Sequence, residues 1–232
     1  MNGVLYLVPV TLGGNNFDDV IPSGVLSVTL KIRYFVVEEL RSARRYLRMI
    51  DKNFPIDETS FSILNEHTGD EDISHYLNPC LAGFDVGLMS EAGLPGIADP
   101  GATLTRLAHK RGIRVIPLSG PSSILMTLIS SGLNGQNFTF NGYLPVKPVE
   151  REAKLRDLER SAAEGFSQVF IETPYRSQKL LESVTRVCSG ERKLCIGADI
   201  TLPSEMIMTR SIAEWSRNLP DLKDRLVVFI LQ

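Results

Sequence analysis

Residues 88–101 read Leu-Met-Ser-Glu-Ala-Gly-Leu-Pro-Gly-Ile-Ala-Asp-Pro-Gly and set two carboxylates, Glu91 and Asp99, among three glycines and two prolines. Glycine permits positive φ and close approach of a ligand to the main chain, while proline fixes the path. The stretch follows an apolar run and precedes a helical pattern. It reads either as a tight strand-to-helix connection capped by Asp99 or as a loop shaped around a ligand. Two further turns, 9–16 and 119–123, have a similar character. The first carries Gly13-Gly14 but matches neither G-x-G-x-x-G nor the P-loop spacing, which argues against a dinucleotide site or an NTPase cradle. The second opens a helix whose N–H groups at Ser122 and Ser123 suit polar ligand atoms, or is simply a capped helix start.

The elements that must hold these turns follow from the apolar pattern. Strands are expected at 4–8, 34–37, 61–64, 85–89 and 114–118, then at 138–140, 168–172, 193–198, 205–209 and 226–231. Helical periodicity runs through 40–51, 102–111, 122–131, 150–164 and 178–188. This alternation predicts an α/β protein, mainly parallel in its first half. Strands without long helices between them predict antiparallel pairing in the last third. Two domains are expected, 1–118 and 119–232, with the three turns at the carboxyl ends of strands, where open α/β sheets bind ligands.

Composition narrows the function classes. The 232 residues carry a net charge of −2, so any nucleic-acid surface must be a local patch. Three scattered cysteines without C-x-x-C, and three scattered histidines (His67, His75, His109), give no metal signature and suit a reducing, cytoplasmic setting. No run approaches the roughly 18 apolar residues of a membrane span. The segment Met-Asn-Gly-Val-Leu-Tyr-Leu-Val-Pro reads as a first strand rather than a signal peptide.

Three strings, Leu-Tyr-Leu-Val-Pro-Val-Thr-Leu-Gly, Ser-Glu-Ala-Gly-Leu-Pro-Gly-Ile-Ala-Asp-Pro-Gly and Gly-Ile-Arg-Val-Ile-Pro-Leu-Ser-Gly-Pro-Ser-Ser, occur in that order. With Phe-Asn-Gly-Tyr-Leu-Pro at 140–145 and Ile-Glu-Thr-Pro-Tyr-Arg at 171–176, the chain resembles the tetrapyrrole methylase superfamily. Within it, the likeness is to the ribosomal RNA small-subunit methyltransferase I family, across nearly the whole chain. The resemblance implies two α/β domains, a mixed sheet in the second, and S-adenosyl-L-methionine in a cleft between them, in a homodimer. Carried over by position, the cofactor would meet Pro9, Glu91, Ala92, Gly93, Ile97, Ala98, Asp99, Ser122, Ser123, Tyr143 and Leu144. The implied reaction is methyl transfer to a ribose 2′-OH of 16S ribosomal RNA. Alternatives are methylation of a tetrapyrrole or other small molecule, or cofactor binding without turnover.

A hydroxyl nucleophile benefits from a base that accepts its proton. Glu38, Glu39 and Glu172 end predicted strands, and Glu39 and Glu172 are the expected catalytic pair; a surface carboxylate or local ion pair is the other reading of each. Arg41, Arg44, Arg45 and Arg48 recur at helical spacing, and Lys147, Arg151, Lys154 and Arg156 form a second basic group. Arg41, Arg44 and Arg176 are the expected substrate contacts, through phosphates of the RNA or small ribosomal subunit. The alternative is a pair of solvated helix faces. The chain also departs from the family's motifs. Ala198-Asp199-Ile200-Thr201-Leu202 stands where the family reads Arg-Glu-Leu-Thr-Lys, and Lys223-Asp224-Arg225-Leu226 where it reads Lys-Gly-Glu-Met.

Overall fold

The computed structural model describes residues 2–65 and 68–232, so the expectation for His67 lies outside the described residues. The chain divides into two compact units, Met1–Ser122 and Ser123–Gln232.

The first unit runs β1 (Val4–Leu7), α1 (Phe17–Val20), α2 (Ser23–Thr29), β2 (Tyr34–Val37), α3 (Leu40–Ile50) and β3 (Ser60–Ile63). It continues through α4 (Asp70–His75), α5 (Asn78–Leu81), β4 (Val86–Met89), α6 (Gly101–Lys110) and β5 (Arg114–Pro117). The five strands form one sheet in the order β3-β2-β4-β1-β5, and every pair is parallel. A parallel sheet has both faces covered, so its strands are apolar on both sides. Leu5, Val36, Val86 and Leu88 pack with Leu77, which caps α5, with Cys80 of that helix, and with Leu104 and Ala108 of α6. Val8, Phe35, Val37 and Met89 turn to the other face and meet Ala43, Tyr46 and Leu47 of α3. On that face Gly87 makes room for an aromatic ring: a Cβ there would lie 2.7 Å from Cε1 of Phe35.

The second unit runs α7 (Ser123–Ser131), β6 (Phe138–Tyr143), α8 (Pro148–Ala163), β7 (Ser167–Glu172) and α9 (Pro174–Val187). β8 (Lys193–Ala198), β9 (Met206–Ser211), α10 (Ile212–Arg217) and β10 (Val227–Leu231) complete it. Its sheet is ordered β6-β7-β10-β8-β9, with β6 and β7 parallel and the other pairs antiparallel. β10 lies in the middle and alternates faces. Val227, Phe229 and Leu231 join the core under α8, α9 and α10, whereas Val228 and Ile230 pack with Leu128 of α7. The expected α/β class, parallel in the first half and mixed in the second, is the observed one.

Local differences have local causes. The helix expected to start from an Asp99 cap begins at Gly101, with Pro100 in the cap position. Asp99 still serves it, because its Oδ1 accepts the Gly101 N–H at 2.7 Å. The short helices α1, α2, α4, α5 and α10 were not expected; with seven residues or fewer they show too little periodicity to read.

Candidate functional site

Because all five strands of the first sheet are parallel, the loops after β1, β2, β4 and β5 leave from one edge. Hydrogen bonds knit the first and third together: the Val10 N–H donates to the Gly93 carbonyl at 3.0 Å, and the Gly93 N–H to the Thr11 carbonyl at 3.4 Å. Gly93 takes φ +68°, and a Cβ there would lie 2.9 Å from Cδ2 of Leu12 and 3.0 Å from the Pro121 carbonyl oxygen. Gly120 lies against Pro9 so closely that a Cβ would come 2.6 Å from Cγ of the proline. Glycine at these two positions is therefore what lets the loops after β1, β4 and β5 close on one another.

Helix α3 supplies the fourth side. Its N-cap is Glu39, whose carboxylate accepts the N–H groups of Arg41 at 2.9 Å and Ser42 at 2.6 Å. Those bonds hold the Glu39 carboxyl below its ordinary pKa. One face of α3 buries Ala43, Tyr46 and Leu47 against the sheet and leaves Arg41, Arg44, Arg45 and Arg48 exposed. The buried Tyr46 hydroxyl donates to the Pro9 carbonyl at 3.1 Å, and burial pushes its pKa up.

Between these walls lies a cavity of about 310 Å³. The loop after β1 lines it with Val10, Thr11 and Gly13–Asn15, α3 with Ser42, Ala43, Arg45, Tyr46 and Met49, and the loop after β4 with Ser90 and Glu91. Two carboxylates on the neighbouring strand-end segments are shifted. The half-buried Glu38 has a raised pKa, chiefly from burial and further from the charges of Glu91 and Asp99, partly offset by the Glu91 N–H that its Oε2 accepts at 3.2 Å. Burial also raises Asp99, opposed by the N–H groups of Gly96, Ile97 and Gly101. Ala98, beside it, is held at φ +61°, a conformation costly for a residue with a Cβ.

Of the residues singled out in the sequence, the first unit holds Pro9, Glu91, Ala92, Gly93, Ile97, Ala98, Asp99 and Ser122 on these loops. Glu91 lines the cavity, Pro9 and Gly93 shape its walls, and Ile97 is exposed. Ser123, Tyr143 and Leu144 belong to the second unit: Ser123 starts α7, Tyr143 ends β6 with its side chain exposed, and Leu144 sits in that unit's core. Arg44 stacks its guanidinium over Phe61, 5.8 Å from the ring centre, and Arg41 is exposed.

Glu172 and Arg176, also in the second unit, hold each other. The Glu172 side chain is 1% exposed, and its Oε1 accepts from the Arg176 Nε at 2.9 Å and NH2 at 2.6 Å. The same oxygen accepts the Thr173 N–H at 2.7 Å. Asp199 and Arg225, at two places where the chain departs from the family's motifs, are likewise partners, with Nε to Oδ2 at 2.7 Å. Among the described residues no helix is long and apolar enough to cross a membrane, and no His, Cys, Asp and Glu cluster could hold a metal.

Sequence reasoning passed over Ser42, Tyr46 and Met49. The usable signal was the apolar stripe of α3: the residues beside Ala43 on the face turned to the sheet must border the loops that leave the strand ends.

The cavity, the close-set loops that wall it and its Glu91 carboxylate fit a polar cofactor bearing positive charge. No family model matches the chain. A protein of Vibrio cholerae named ribosomal RNA small subunit methyltransferase I is 30% identical over 211 residues, covering 91% of this chain and 69% of the relative. Its namesake in Pseudomonas aeruginosa is 31% identical over 212 residues, covering 91% and 71%. Among solved structures, that of the methyltransferase CobJ superposes with a TM-score of 0.63 at 19% identity, over 98% of this chain and 93% of that one, a likeness of fold. With its sequence shared with these relatives over most of both lengths, the chain belongs to the ribosomal RNA small subunit methyltransferase I family.

Proposed function

We propose that the protein is an S-adenosyl-L-methionine-dependent methyltransferase acting on a ribose 2′-OH of small-subunit ribosomal RNA. The observation that carries this reading is the cavity at the carboxyl edge of the first sheet, walled by the loops after β1 and β4 and by α3. The relatives' shared name supplies the acceptor class.

In this reading Pro9, Gly93, Ala92, Ile97, Ala98 and Ser122 offer main-chain groups and apolar wall to the cofactor. Glu91 and Asp99 add negative charge suited to a sulfonium. Ser123, Tyr143 and Leu144 are assigned to the cofactor on the resemblance alone. When bound, the cofactor supplies an activated methyl carbon. The protein's part is alignment, which contributes about 7–11 kcal/mol in favourable systems. The loops pinned by Tyr46, Gly93 and Gly120 suit that task because they hold the walls in one geometry.

The acceptor side is read from charge. Arg41, Arg44, Arg45 and Arg48 project from α3, and Arg45 lines the cavity itself. Such a stripe binds phosphates whatever the base sequence, and places an RNA backbone beside the cofactor. A homodimer and a cytoplasmic location complete the reading.

The test is direct. Calorimetric titration should show cofactor binding, and labelled cofactor should then mark small ribosomal subunits that lack the modification, with the label mapped to one ribose. Absence of cofactor binding at millimolar concentration sinks the proposal. Binding without label in RNA removes the acceptor assignment and turns the search to small molecules.

A further inference from the structure

We propose that Glu38 is the general base of the reaction, taking the proton of the attacking hydroxyl on its Oε1; this rests on the reading of the protein as a hydroxyl methyltransferase. Three strand-end carboxylates compete for the role, and their partners separate them. Glu39 spends both oxygens on the N–H groups that open α3, and those bonds make it a weaker base than an ordinary glutamate. Glu172 is enclosed, with an arginine and two Thr173 donors on one oxygen.

Glu38 is held differently. Its N–H donates to the Met89 carbonyl at 3.2 Å, which fixes it to the end of β4, the neighbouring strand. Its Oε2 accepts the N–H of Glu91, a residue that lines the cavity. Among the described residues, Oε1 has no hydrogen-bond partner. The carboxylate is thus tethered by one oxygen to a residue of the cavity wall and has the other to offer.

The charged groups that face it are Glu91 and Asp99, both from the loop after β4; Glu39 follows it in the chain and is turned to the helix. Burial and the two negative neighbours raise its proton affinity, the direction a base needs. In the step, the oxygen–carbon bond forms as the carbon–sulfur bond breaks. The bonding pair stays on sulfur, and the hydroxyl proton passes to Glu38, so charge and atoms balance.

The test uses Glu38→Gln and Glu38→Asp in the full chain. Glutamine keeps an acceptor for the Glu91 N–H. The assignment expects its cofactor affinity to stay within about threefold of wild type while single-turnover transfer falls by roughly 10²–10⁴. Aspartate should retain partial transfer and the acid limb of the pH profile, which glutamine abolishes. In the cofactor-free protein, carboxyl carbon-13 titration should place Glu38 above Glu39. Wild-type transfer in Glu38→Gln overturns the assignment, as does a loss of transfer matched by an equal loss of cofactor affinity. A Glu38 that titrates at or below Glu39 overturns it whatever the acceptor. Wild-type protein that binds cofactor but labels no hydroxyl overturns the functional reading, and this assignment with it.

Discussion

Gly120→Ala tests the closure of the site most sharply. The added Cβ would lie 2.6 Å from Cγ of Pro9, and Pro9 is a rigid ring already buried beneath Tyr46's hydrogen bond. Ordinary carbon contacts begin near 3.5 Å and Cβ of Pro9 lies nearer still, so the 119–122 loop and the loop after β1 must part by more than about 1 Å. Overpacking of this kind costs about 1–3 kcal/mol. For a unit of this size that corresponds to a Tm lower by roughly 4–12 °C. The same displacement carries Pro9 and Ser122 out of register, and a misplacement of about 1 Å costs on the order of 10²-fold in transfer. Differential scanning calorimetry and single-turnover methyl transfer read the two effects. Gly24→Ala is the control: nothing lies within 4 Å of its Cβ, so that variant should gain roughly 0.5 kcal/mol. A Gly120→Ala protein that melts within about 2 °C of wild type and transfers methyl at the wild-type rate would refute the tight seating of this loop on Pro9.

Tyr46→Phe strips the Pro9 carbonyl of its buried donor and should cost about 1–3 kcal/mol in urea unfolding. Glu39→Gln weakens the cap of α3. Because the Glu39 carboxyl is held below its ordinary pKa, its stabilisation is complete above the unfolded value of 4.5 and is lost as pH falls through the folded value. The Tm gap between wild type and Glu39→Gln should therefore be full at neutral pH and close in acid. Arg225→Ala leaves the mostly buried Asp199 without its guanidinium and should destabilise the second unit by roughly 2–3 kcal/mol, read from chemical denaturation.

Much of this architecture was legible in the residues. The apolar runs at 34–37 and 193–198 are the observed strands β2 and β8, because buried strands need side chains that serve both faces. Strand order was not legible, since nothing in β1 says that β4 will insert beside it. The Gly- and Pro-rich turns announced the carboxyl-edge loops by their backbone demands. Tyr46 did not, because an aromatic on a helix stripe looks like any core residue until its hydroxyl meets Pro9. Glu38 and Glu39 are adjacent carboxylates and look interchangeable. They diverge only when the chain leaves β2 at Val37 and the second side chain turns to cap α3. Asp199 and Arg225 stood as two separate oddities, 26 residues apart in the chain, until folding paired them.

The central place of β10 sets a timetable for synthesis. The first unit has every strand of its sheet once residue 117 has been made, and can begin to fold while the rest is translated. The second cannot: until Val227–Leu231 arrives, β6-β7 and β8-β9 are two separate ribbons with nothing between them. Their facing edges would present unpaired N–H and C=O groups to any other chain nearby. Folding of this half thus waits on one late five-residue segment, which makes the nascent second unit the aggregation-prone stage of the protein's production.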